Sequence, residues 1–342
     1  MARADFAAVV LQNGKVLLAG GQTSTTADTA TVDLFDPATN TITPAAQMKT
    51  ARNGHTATLL PNGKVLVAGG AGSPNDVALP TTEIYDPASN TWTSGASMAQ
   101  ARSHHAAVLM LSGKVLVAGG DGGSGPGPTG SEVYDPASNT WTSISTFFPR
   151  THGPTATVLM DGRVMIANGL QSVAPGASVE FYDPATGQVS SGRSLGPSDR
   201  SYSSAALLGD GRVIIIGGQL TYNPTGALNT TDLYDASNDV ANSAMPAWTS
   251  GPAMNVGHCH HTMTTLKNGL ILVAGGQCGS SASIAVAELL EPVGMRWWLA
   301  APMPDGRGFH VAVLLQDGRV LLAGGFTESG GIALATEIYT PA

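Results

Sequence analysis

The histidines of this chain are confined to one kind of position. All eight lie near the start of a short predicted strand, and two of them, His258 and His260, are two residues apart. Residues i and i+2 of a strand share one face, and imidazole is a good ligand for Zn, Cu and Fe. The pair therefore predicts half of a metal site for one Cu, Zn or Fe ion, although the sequence fixes no third or fourth ligand.

Two further histidines, His104 and His152, also fall outside the main histidine pattern. Together with His258 and His260 they are candidate catalytic residues, as metal ligands or as acid and base groups. Three nearby carboxylates could act as acid, base or ligand, or could be solvated loop residues. These are Asp121, Asp199 and Asp305.

An arginine three residues before a histidine recurs at the same strand starts, as in Arg52 and His55. Guanidinium groups bind carboxylates and phosphates in a fixed geometry, so this repeated pair predicts a pocket for an anionic ligand. The alternative is structural, with the buried pair bonding backbone carbonyls between repeats. The predicted ligand-binding residues are Arg52, Arg102, Arg150, Arg200, Arg307, His55, His105, His261 and His310.

These residues are positioned by an internal repeat that ends its first hydrophobic hairpin in two glycines. The steps between copies are 49 or 50 residues, with one of 58, and Asn168-Gly169 is a degenerate copy. A fixed period of this size indicates stacked supersecondary units. The doublets are Gly20-Gly21, Gly69-Gly70, Gly119-Gly120, Gly217-Gly218, Gly275-Gly276 and Gly324-Gly325.

One copy, Ala51 to Trp92, shows what each unit contains. Two β-rich runs, 55–60 and 64–68, flank Asn62-Gly63, a strong hairpin signal. The residues 82–85 and 91–93 read as a third and a fourth strand around a turn rich in Pro and Asn. Each unit is therefore predicted to be a four-stranded antiparallel meander, which must pack against its neighbours to bury both faces.

The double glycine, Tyr85-Asp86-Pro87 and Trp92 resemble the kelch repeat, and the resemblance spans nearly the whole chain. It implies an all-β, seven-bladed kelch-like β-propeller with four-stranded antiparallel blades, forming a single domain over residues 1–342. The last blade is expected to have three strands and to close the ring by packing on the first, unless the sequence lacks a true last strand. The predicted blades are 3–48, 52–98, 102–147, 150–195, 200–254, 257–303 and 307–340.

The resemblance also implies where the candidate site lies. The first strand is innermost in a kelch-like blade, so the Arg and His side chains are expected around the top mouth of a central channel. The longer, irregular loops fall on this same edge, where binding usually occurs.

A narrower resemblance is to galactose oxidase and its relatives, seven-bladed copper enzymes. The segment around Tyr202 looks like the one that carries their modified tyrosine, and Phe309-His310 looks like their Tyr-His copper pair. Phe309 has no phenol, however, and no cysteine in blade 4 could cross-link to Tyr202. Tyr202 stays a candidate catalytic residue, whereas a copper-radical oxidase is not expected.

The two cysteines, Cys259 and Cys278, lie at nearly mirror-image distances from the predicted hairpin turn of blade 6. This placement predicts a disulfide and an oxidising compartment. The alternatives are a reduced buried pair, or thiolates that contribute to the site of His258 and His260.

Composition limits the classes of partner. The net charge is −8 and the chain has no Lys/Arg block, which argues against a nucleic-acid partner. The sequence also has no run of 18 apolar residues, so it predicts no membrane span. The chain shows no signal peptide, but its low lysine content and Ser/Thr-rich loops favour a secreted or periplasmic protein. We expect a monomer.

Two functions are consistent with these features. The first is a module that binds a small molecule, a glycan or a protein at the Arg/His-lined mouth. The alternative is an enzyme, metal-dependent or not, with its active site in the same pocket. A purely structural repeat array is a third possibility. The sequence names no substrate.

Overall fold

The fold was analysed in a computed structural model. It describes residues 2–24, 27–72, 76–123, 127–146, 149–171, 179–193, 200–220, 223–239, 246–277, 282–333 and 336–341. Within these residues the only helix is a single 3₁₀ turn, Ala236–Asn238, and the rest is strands and turns. No helix in the described part of the chain is long and apolar enough to cross a membrane. The all-β fold class predicted from the sequence is confirmed.

The described residues form six four-stranded antiparallel meanders and one three-stranded meander, which we number blades 1 to 7 in chain order. The first strands are Ala7–Val10, Thr56–Leu59, Ala106–Leu109, Thr155–Val158, Ser204–Leu207, Thr262–Thr265 and Val311–Leu314. The second strands are Val16–Ala19, Val65–Ala68, Val115–Ala118, Val164–Ala167, Val213–Ile216, Ile271–Ala274 and Val320–Ala323. The third strands are Val32–Asp36, Thr82–Asp86, Gly130–Asp135, Glu180–Asp183, Thr231–Tyr234, Ala287–Glu291 and Thr336–Tyr339. The fourth strands are Thr41–Pro44, Thr91–Ser94, Thr140–Ser145, Gln188–Ser191, Trp248–Ser250 and Arg296–Leu299.

Short additional strands extend the edge where the first strands begin. They pair as small sheets of two or three strands beside the main meanders. These sheets are Gln22–Ser24 with Ala27–Asp28, Ala71–Gly72 with Val77–Ala78, Arg150–Thr151 with Leu170–Gln171, Arg200–Ser201 with Gln219–Leu220 and Asn223–Ala227, and Arg307–Gly308 with Phe326–Thr327.

The core lies between neighbouring blades rather than inside any one of them. Every residue of every second strand is buried, because that strand is covered on both faces. One cluster joins Leu17 and Val32 of blade 1 to Val65, Tyr85 and Trp92 of blade 2. Similar clusters form between the other blades, so each blade depends on its neighbours for burial of its apolar faces.

The double glycine is required by the contact between blades. Gly69 and Gly70 both have positive φ, +64° and +94°, a conformation that favours glycine. A Cβ on Gly69 would overlap the Arg102 carbonyl of the next blade, and one on Gly70 would lie 2.5 Å from the Asn53 carbonyl. The Gly70 N–H donates to the same Arg102 carbonyl at 2.9 Å. The doublet therefore allows one blade to bond the backbone of the next at close range.

Blades 7 and 1 also contact each other directly. The Gly325 N–H of blade 7 donates to the Arg3 carbonyl at 3.0 Å, as Gly70 does to Arg102. Leu321 of blade 7 packs with Val16 and Leu18 of blade 1. Blade 7 has three strands in the described residues, and the circle of blade contacts closes through these bonds and this packing. The assignment of residues 1–342 to a single domain stays a prediction.

Candidate functional site

The chain enters each first strand through a residue with positive φ, and these residues are neighbours around one centre. The Asp5 N–H donates to the Phe309 carbonyl at 2.9 Å, the Gly54 N–H to Asp5 at 3.0 Å, and the His104 N–H to Gly54 at 2.7 Å. The Phe309 and His260 N–H groups continue the series, each donating at 3.3 Å to the preceding blade. The entry residues, in blade order, are Asp5, Gly54, His104, Gly153, Tyr202, His260 and Phe309.

Blade 4 departs from this pattern. Here the carbonyl that accepts from the Tyr202 N–H, at 3.3 Å, belongs to His152 rather than to Gly153. The His152 N–H donates instead to Oδ1 of Asp121, at 2.9 Å. A side chain from blade 3 thus reaches the entry of blade 4, and it brings a carboxylate to the centre.

A cavity of about 270 Å³ lies at this centre. It is open to solvent and receives residues from every blade, so no single repeat could form it. Its walls are the seven entry residues together with the residues that follow most of them, namely His55, His105, Pro154, Ser203, His261 and His310.

One side of the cavity carries a charged network centred on His104. Its Nε2 lies 2.9 Å from Asp5 Oδ2 and its Nδ1 lies 3.6 Å from Asp121 Oδ2. Burial alone would lower the pKa of His104, but the two carboxylates raise it well above 6.5. Burial would raise the pKa values of Asp5 and Asp121, but both are lowered. For Asp5 the charge and hydrogen bond of His104 outweigh burial, and for Asp121 the hydrogen bonds from His104 and the His152 N–H do so. The network is therefore an imidazolium between two carboxylates. His152 Nδ1, 3.5 Å from Asp121 Oδ1, borders it.

The other side is an aromatic wall. The His260 ring lies between Tyr202, at 3.7 Å between ring centroids, and Phe309, at 4.0 Å. Burial, aided by the charge of His104, lowers the pKa of His260 to about 3, so its ring is neutral. Burial and the charges of Asp121 and Asp5 raise the pKa of Tyr202, so the phenol stays protonated. These three rings form a face-to-face stack beside the charged network, with both faces of His260 covered by its neighbours.

The repeated histidines line the deeper part of the cavity and also join blades. The Nε2 atom of His105 is 3.0 Å from Thr56 Oγ1 of blade 2, and that of His310 is 2.9 Å from Thr262 Oγ1 of blade 6. Burial, with the charge of Arg307, lowers the pKa of His310 to about 3. Burial likewise brings the pKa of His55 to about 3 and those of His105 and His261 well below 6.5. All four are neutral wall residues.

The predicted anion-binding arginines occupy a different place. Arg52 is fully buried and donates to the Gly69 carbonyl at 2.6 Å, the Thr81 carbonyl at 3.1 Å and Glu83 Oε1 at 3.1 Å. Each charge is thus neutralised inside its own blade, and in the described residues no arginine lines the cavity. We therefore leave them out of the ligand site. The equivalent ion pairs are Arg3–Asp33, Arg102–Glu132, Arg150–Glu180, Arg200–Asp232 and Arg307–Glu337.

His258 takes the arginine position in blade 6 and makes the same kind of contacts. It is fully buried, with Nδ1 2.7 Å from the Gly275 carbonyl and Nε2 3.2 Å from Glu288 Oε1. His260, by contrast, borders the cavity. The two therefore do not share a face, because the positive φ of His260 interrupts the strand geometry assumed in the sequence prediction. Within the described part of the chain, no group of three or more His, Cys, Asp or Glu could hold a metal ion.

Cys259 is disulfide-bonded. The other cysteine of the chain, Cys278, lies outside the described residues, as does Asp199. The pairing of Cys259 with Cys278 is therefore kept as a prediction. Asp305 is described and exposed, outside the residues that line the cavity.

Asp5 and Phe309 line the cavity but were not predicted as site residues from the sequence. A signal for them existed, since both stand one position before the repeated histidine column, as Gly54, His104 and His260 do. The residue type in this column varies from blade to blade, whereas the neighbouring Arg column is nearly constant and the His column keeps histidine in four of the seven blades. In this chain the variable column bears the entry residues of the cavity.

The two kinds of histidine should titrate differently. The His104 imidazole should stay protonated at pH 7 and lose its proton well above pH 6.5, whereas His310 should stay neutral down to about pH 3. Because the folded-state pKa of His104 is raised, its contribution to stability is fully present below pH 6.5 and is lost as the pH rises through that pKa. The pKa values of His104 and His310 would be measured from imidazole nitrogen chemical shifts, followed by NMR as a function of pH. Asp5→Asn should lower the pKa of His104, and a His104 that titrates below 6.5 would contradict the assigned network.

Taken together, the fold and the site define a β-propeller of antiparallel meanders with a cavity at the convergence of its first strands. The chain matches the model of the KLHDC2/KLHL20/DRC7 Kelch-repeats domain over residues 5–218. It therefore belongs to the kelch-repeat family, as its sequence resemblance predicted.

Among solved structures, the chain is similar to a fungal alcohol oxidase of the AA5 family determined in complex with copper. The TM-score is 0.78 at 18% sequence identity, covering 99% of this chain and 74% of the oxidase chain. At this identity the likeness shows the fold alone. No curated protein matches the sequence.

The residues of this cavity do not fit a copper site of that kind. Phe309 supplies no ligand atom, and its ring stacks on His260. The Nε2 atom of His310 is engaged by Thr262, and the Tyr202 ring lies flat against His260. We derive no chemistry through copper.

Proposed function

We propose that this protein is a seven-bladed kelch propeller that binds a ligand or a protein partner in the cavity at the mouth of its central channel. The observation that carries the proposal is the pairing, around one open cavity, of Asp5 and His104, backed by Asp121, with the Tyr202–His260–Phe309 aromatic wall. Kelch domains generally bind protein partners. Binding clefts commonly combine an apolar surface with a few convergent polar groups.

The charges indicate what such a ligand presents. Two carboxylates and one imidazolium leave the network with one negative charge, and the adjacent ring stack offers an apolar wall. A cation carried on an apolar group satisfies both, through charge-assisted hydrogen bonds to the carboxylates and apolar packing against the rings. The guanidinium of a partner's arginine, or a small amidine, has this chemistry. This replaces the anionic ligand expected from the buried arginines.

Benzamidine is a suitable cationic probe of this cavity, and benzoate, a similar molecule of opposite charge, is its control. Benzamidine should shift the NMR signals of His104 and Tyr202 in a saturable manner, and benzoate should not. Asp5→Asn should weaken benzamidine binding about tenfold, a typical cost of one charge-assisted contact. Glu328→Gln is the matched control, because it removes one exposed carboxylate away from the cavity and should leave binding unchanged. Equal affinity in the Asp5 variant and the parent would refute this site.

An enzyme is the second candidate function. The observation that favours it is His104, a protonated imidazole held by two carboxylates beside an open cavity, which is the arrangement of a general acid. Tyr202 and His260 would then orient the substrate rather than ligate a metal. Turnover by this route should disappear in His104→Gln while benzamidine binding persists, and its rate should fall as the pH rises through the pKa of His104.

We further propose that the protein works as a monomer in an oxidising compartment, secreted or periplasmic. The bonded state of Cys259 supports this placement, since disulfides persist in such compartments. Light scattering during gel filtration should give a mass near 34.7 kDa. A mass twice as large would exclude the monomer.

A further inference from the structure

The open cavity of about 270 Å³ already holds a cation that the protein itself supplies, the His104 imidazolium. Its Nε2 lies 2.9 Å from Asp5 Oδ2, and its Nδ1 lies 3.6 Å from Asp121 Oδ2. A neutral imidazole donates from only one nitrogen, whereas here both nitrogens face carboxylate oxygens. The geometry therefore favours the doubly protonated ring. In this state the imidazolium occupies the Asp5 carboxylate, the group that a cationic ligand would use.

The two sides of the His104 ring differ in their access to the cavity. On the Nε2 side, Asp5 and His104 both line the cavity, and their side chains are 18% and 27% exposed. A ligand can therefore reach the contact between them from solvent. On the Nδ1 side, Asp121 is outside the residues that line the cavity, and its Oδ1 accepts from the His152 N–H at 2.9 Å. The protein thus holds the Nδ1 side of the ring in place, and the Nε2 side belongs to the ligand site.

Most other titratable groups around His104 keep one charge state near neutral pH. Burial holds the pKa values of the other imidazoles of the cavity at about 3 or well below 6.5, so these rings are neutral. They are His55 of blade 2, His105 of blade 3, His260 and His261 of blade 6, and His310 of blade 7. The Tyr202 phenol of blade 5 stays protonated, because burial and the charges of Asp121 and Asp5 raise its pKa. The blade arginines are paired with acids outside the cavity wall. His152 of blade 4, 3.5 Å from Asp121, is a further imidazole beside the network and needs its own control.

On the basis of the proposed cationic ligand, we infer that the His104 imidazolium is an internal competitor, which the ligand displaces from Asp5 with release of one proton. The proton on Nε2 passes to solvent, and Nδ1 keeps its proton toward Asp121. The ring stays in place as a neutral imidazole. Asp5 then accepts one N–H of the ligand, and the freed lone pair of His104 Nε2 accepts a second one. Binding of the ligand is therefore regulated by pH through His104.

This exchange also specifies the chemistry of the ligand. The network carries one negative charge before binding, and the site keeps one negative charge after it, because the cation of the ligand replaces the proton that leaves. To replace the proton, the ligand must bring at least two N–H donors, as an amidine, a guanidinium or a primary ammonium group does. A quaternary ammonium group has the same charge but no N–H, so it cannot satisfy Asp5 and His104 Nε2.

Calorimetric titration of the 342-residue chain with benzamidine, in phosphate and in HEPES buffer near neutral pH, measures the proton release. The two buffers take up protons with different enthalpies, so the difference in observed heat gives the number of protons released. We expect close to one proton for each benzamidine bound. The affinity should rise with pH by up to about tenfold per pH unit below the pKa of His104, and it should level off above that pKa. These measurements use the parent protein, so folding of a variant cannot affect them.

Two variants and one further ligand identify the groups involved. His104→Gln has no proton to release, so its affinity for benzamidine should not change with pH and its binding heat should not depend on the buffer. His152→Gln removes the other imidazole beside Asp121 and should keep the pH dependence of the parent. Benzyltrimethylammonium has the charge of benzamidine without an N–H. It should bind the parent about tenfold more weakly, because it cannot make a charge-assisted hydrogen bond.

The possible failures of this inference and of the proposed ligand are distinguishable. Benzamidine binding without proton release, or with an affinity that does not change with pH, would overturn the displacement of His104 and leave the cationic ligand intact. Proton release that persists in His104→Gln would also overturn it, by assigning the proton to another group. If benzyltrimethylammonium binds as tightly as benzamidine, the site responds to charge alone and the N–H exchange is wrong. No benzamidine binding at all would refute the proposed ligand and the displacement together.

Discussion

Replacing Glu83 by alanine should lower the free energy of unfolding by about 3–5 kcal/mol, because it leaves the buried Arg52 charge without its partner. Both side chains are almost fully excluded from solvent, at 0% and 3% exposure, and Arg52 Nη2 lies 3.1 Å from Glu83 Oε1. Glu83 also accepts from the backbone N–H groups of Lys49 and Thr50, at 2.7 and 3.1 Å. The substitution therefore leaves several buried donors unsatisfied at once. Urea unfolding followed by circular dichroism would measure the change.

The matched control is an exposed ion pair of the same blade. Lys64 lies 3.1 Å from Asp86 but is 45% exposed, and such surface pairs contribute about 0–1 kcal/mol. Lys64→Ala should therefore change the unfolding free energy by less than 1 kcal/mol. Glu83→Gln, which keeps an acceptor but removes the charge, should fall between the two. If Glu83→Ala and Lys64→Ala have the same effect, the arginine–acid pairs do not stabilise the blades.

The sequence contains a signal for the structural role of the arginines, but the paired residues are far apart in the chain. An acid follows Arg52 by 31 residues and Arg102 by 30, in the third strand of the same blade. The strand prediction placed Glu83 on that third strand without pairing it with Arg52. Arg-x-x-His was interpreted either as an anion-binding pocket or as a buried pair bonding backbone carbonyls, and neither interpretation included the acid that a buried guanidinium needs as a partner.

The meander itself could be predicted because its signals are local. Asn62-Gly63 specifies a hairpin through backbone conformation alone, with φ of +81° at Gly63, and Trp92 and Gly69-Gly70 recur in register. The charged network of the cavity could not be predicted in this way. Asp121 reaches His104 and His152 from the loop after the second strand of blade 3. Its backbone keeps the repeat, since Asp121 bridges to Ser103 as Ala71 does to Asn53, so only the side chain differs and periodicity carries no information about it.

Backbone conformation also explains why His258 and His260 do not lie on one strand face, contrary to the prediction from the sequence. The prediction assumed an extended backbone between them, whereas His260 has a φ of +48°. This turn directs His260 to the cavity and leaves His258 inside the blade with Glu288. Residues other than glycine adopt positive φ uncommonly, and although Asn, Asp and His are enriched among them, that enrichment does not mark a single position. Only the alignment of all seven blades shows that this position is an entry residue.

Gly69→Ala should be among the most destabilising single substitutions in the chain, with a loss above about 3 kcal/mol. The left-handed conformation alone costs an alanine about 1–2 kcal/mol. The new Cβ would also overlap the Arg102 carbonyl and lie 2.9 Å from Cε1 of His105, both in the next blade. Neither neighbour has room to move, since Arg102 is bonded to Glu132 and His105 is buried. The cost should appear as a lower urea midpoint.

Gly187→Ala separates the cost of the left-handed conformation from the cost of the steric overlap with the next blade. Gly187 has a similar φ of +71°, but a Cβ there would meet nothing within 4 Å. Its loss should therefore be limited to the conformational cost of about 1–2 kcal/mol. The difference between the two variants measures the steric demand of the contact between blades. Equal losses would mean that conformation alone, and not the close approach of the next blade, accounts for the double glycine.

Blade 4 shows how the chain accommodates a side chain at this position. Asn168 replaces the first glycine, with a φ of +60°, and asparagine tolerates this conformation better than alanine does. The residue of blade 5 that corresponds to His105 is Ser203, which lacks the imidazole ring that a Cβ would strike. The loss of the glycine in one blade thus coincides with a smaller residue in the next.

This coincidence predicts a compensating pair. His105→Ser in the Gly69→Asn background should restore part of the stability that Gly69→Asn loses, although His105→Ser alone removes the bond to Thr56 and should be destabilising. A double-mutant cycle on urea unfolding would measure a favourable coupling between the two positions. Additive losses would show that the two blades tolerate these residues independently. A favourable coupling would show that a double glycine and the histidine facing it in the next blade act as one contact. The histidines that line the cavity would then also be residues that join the blades.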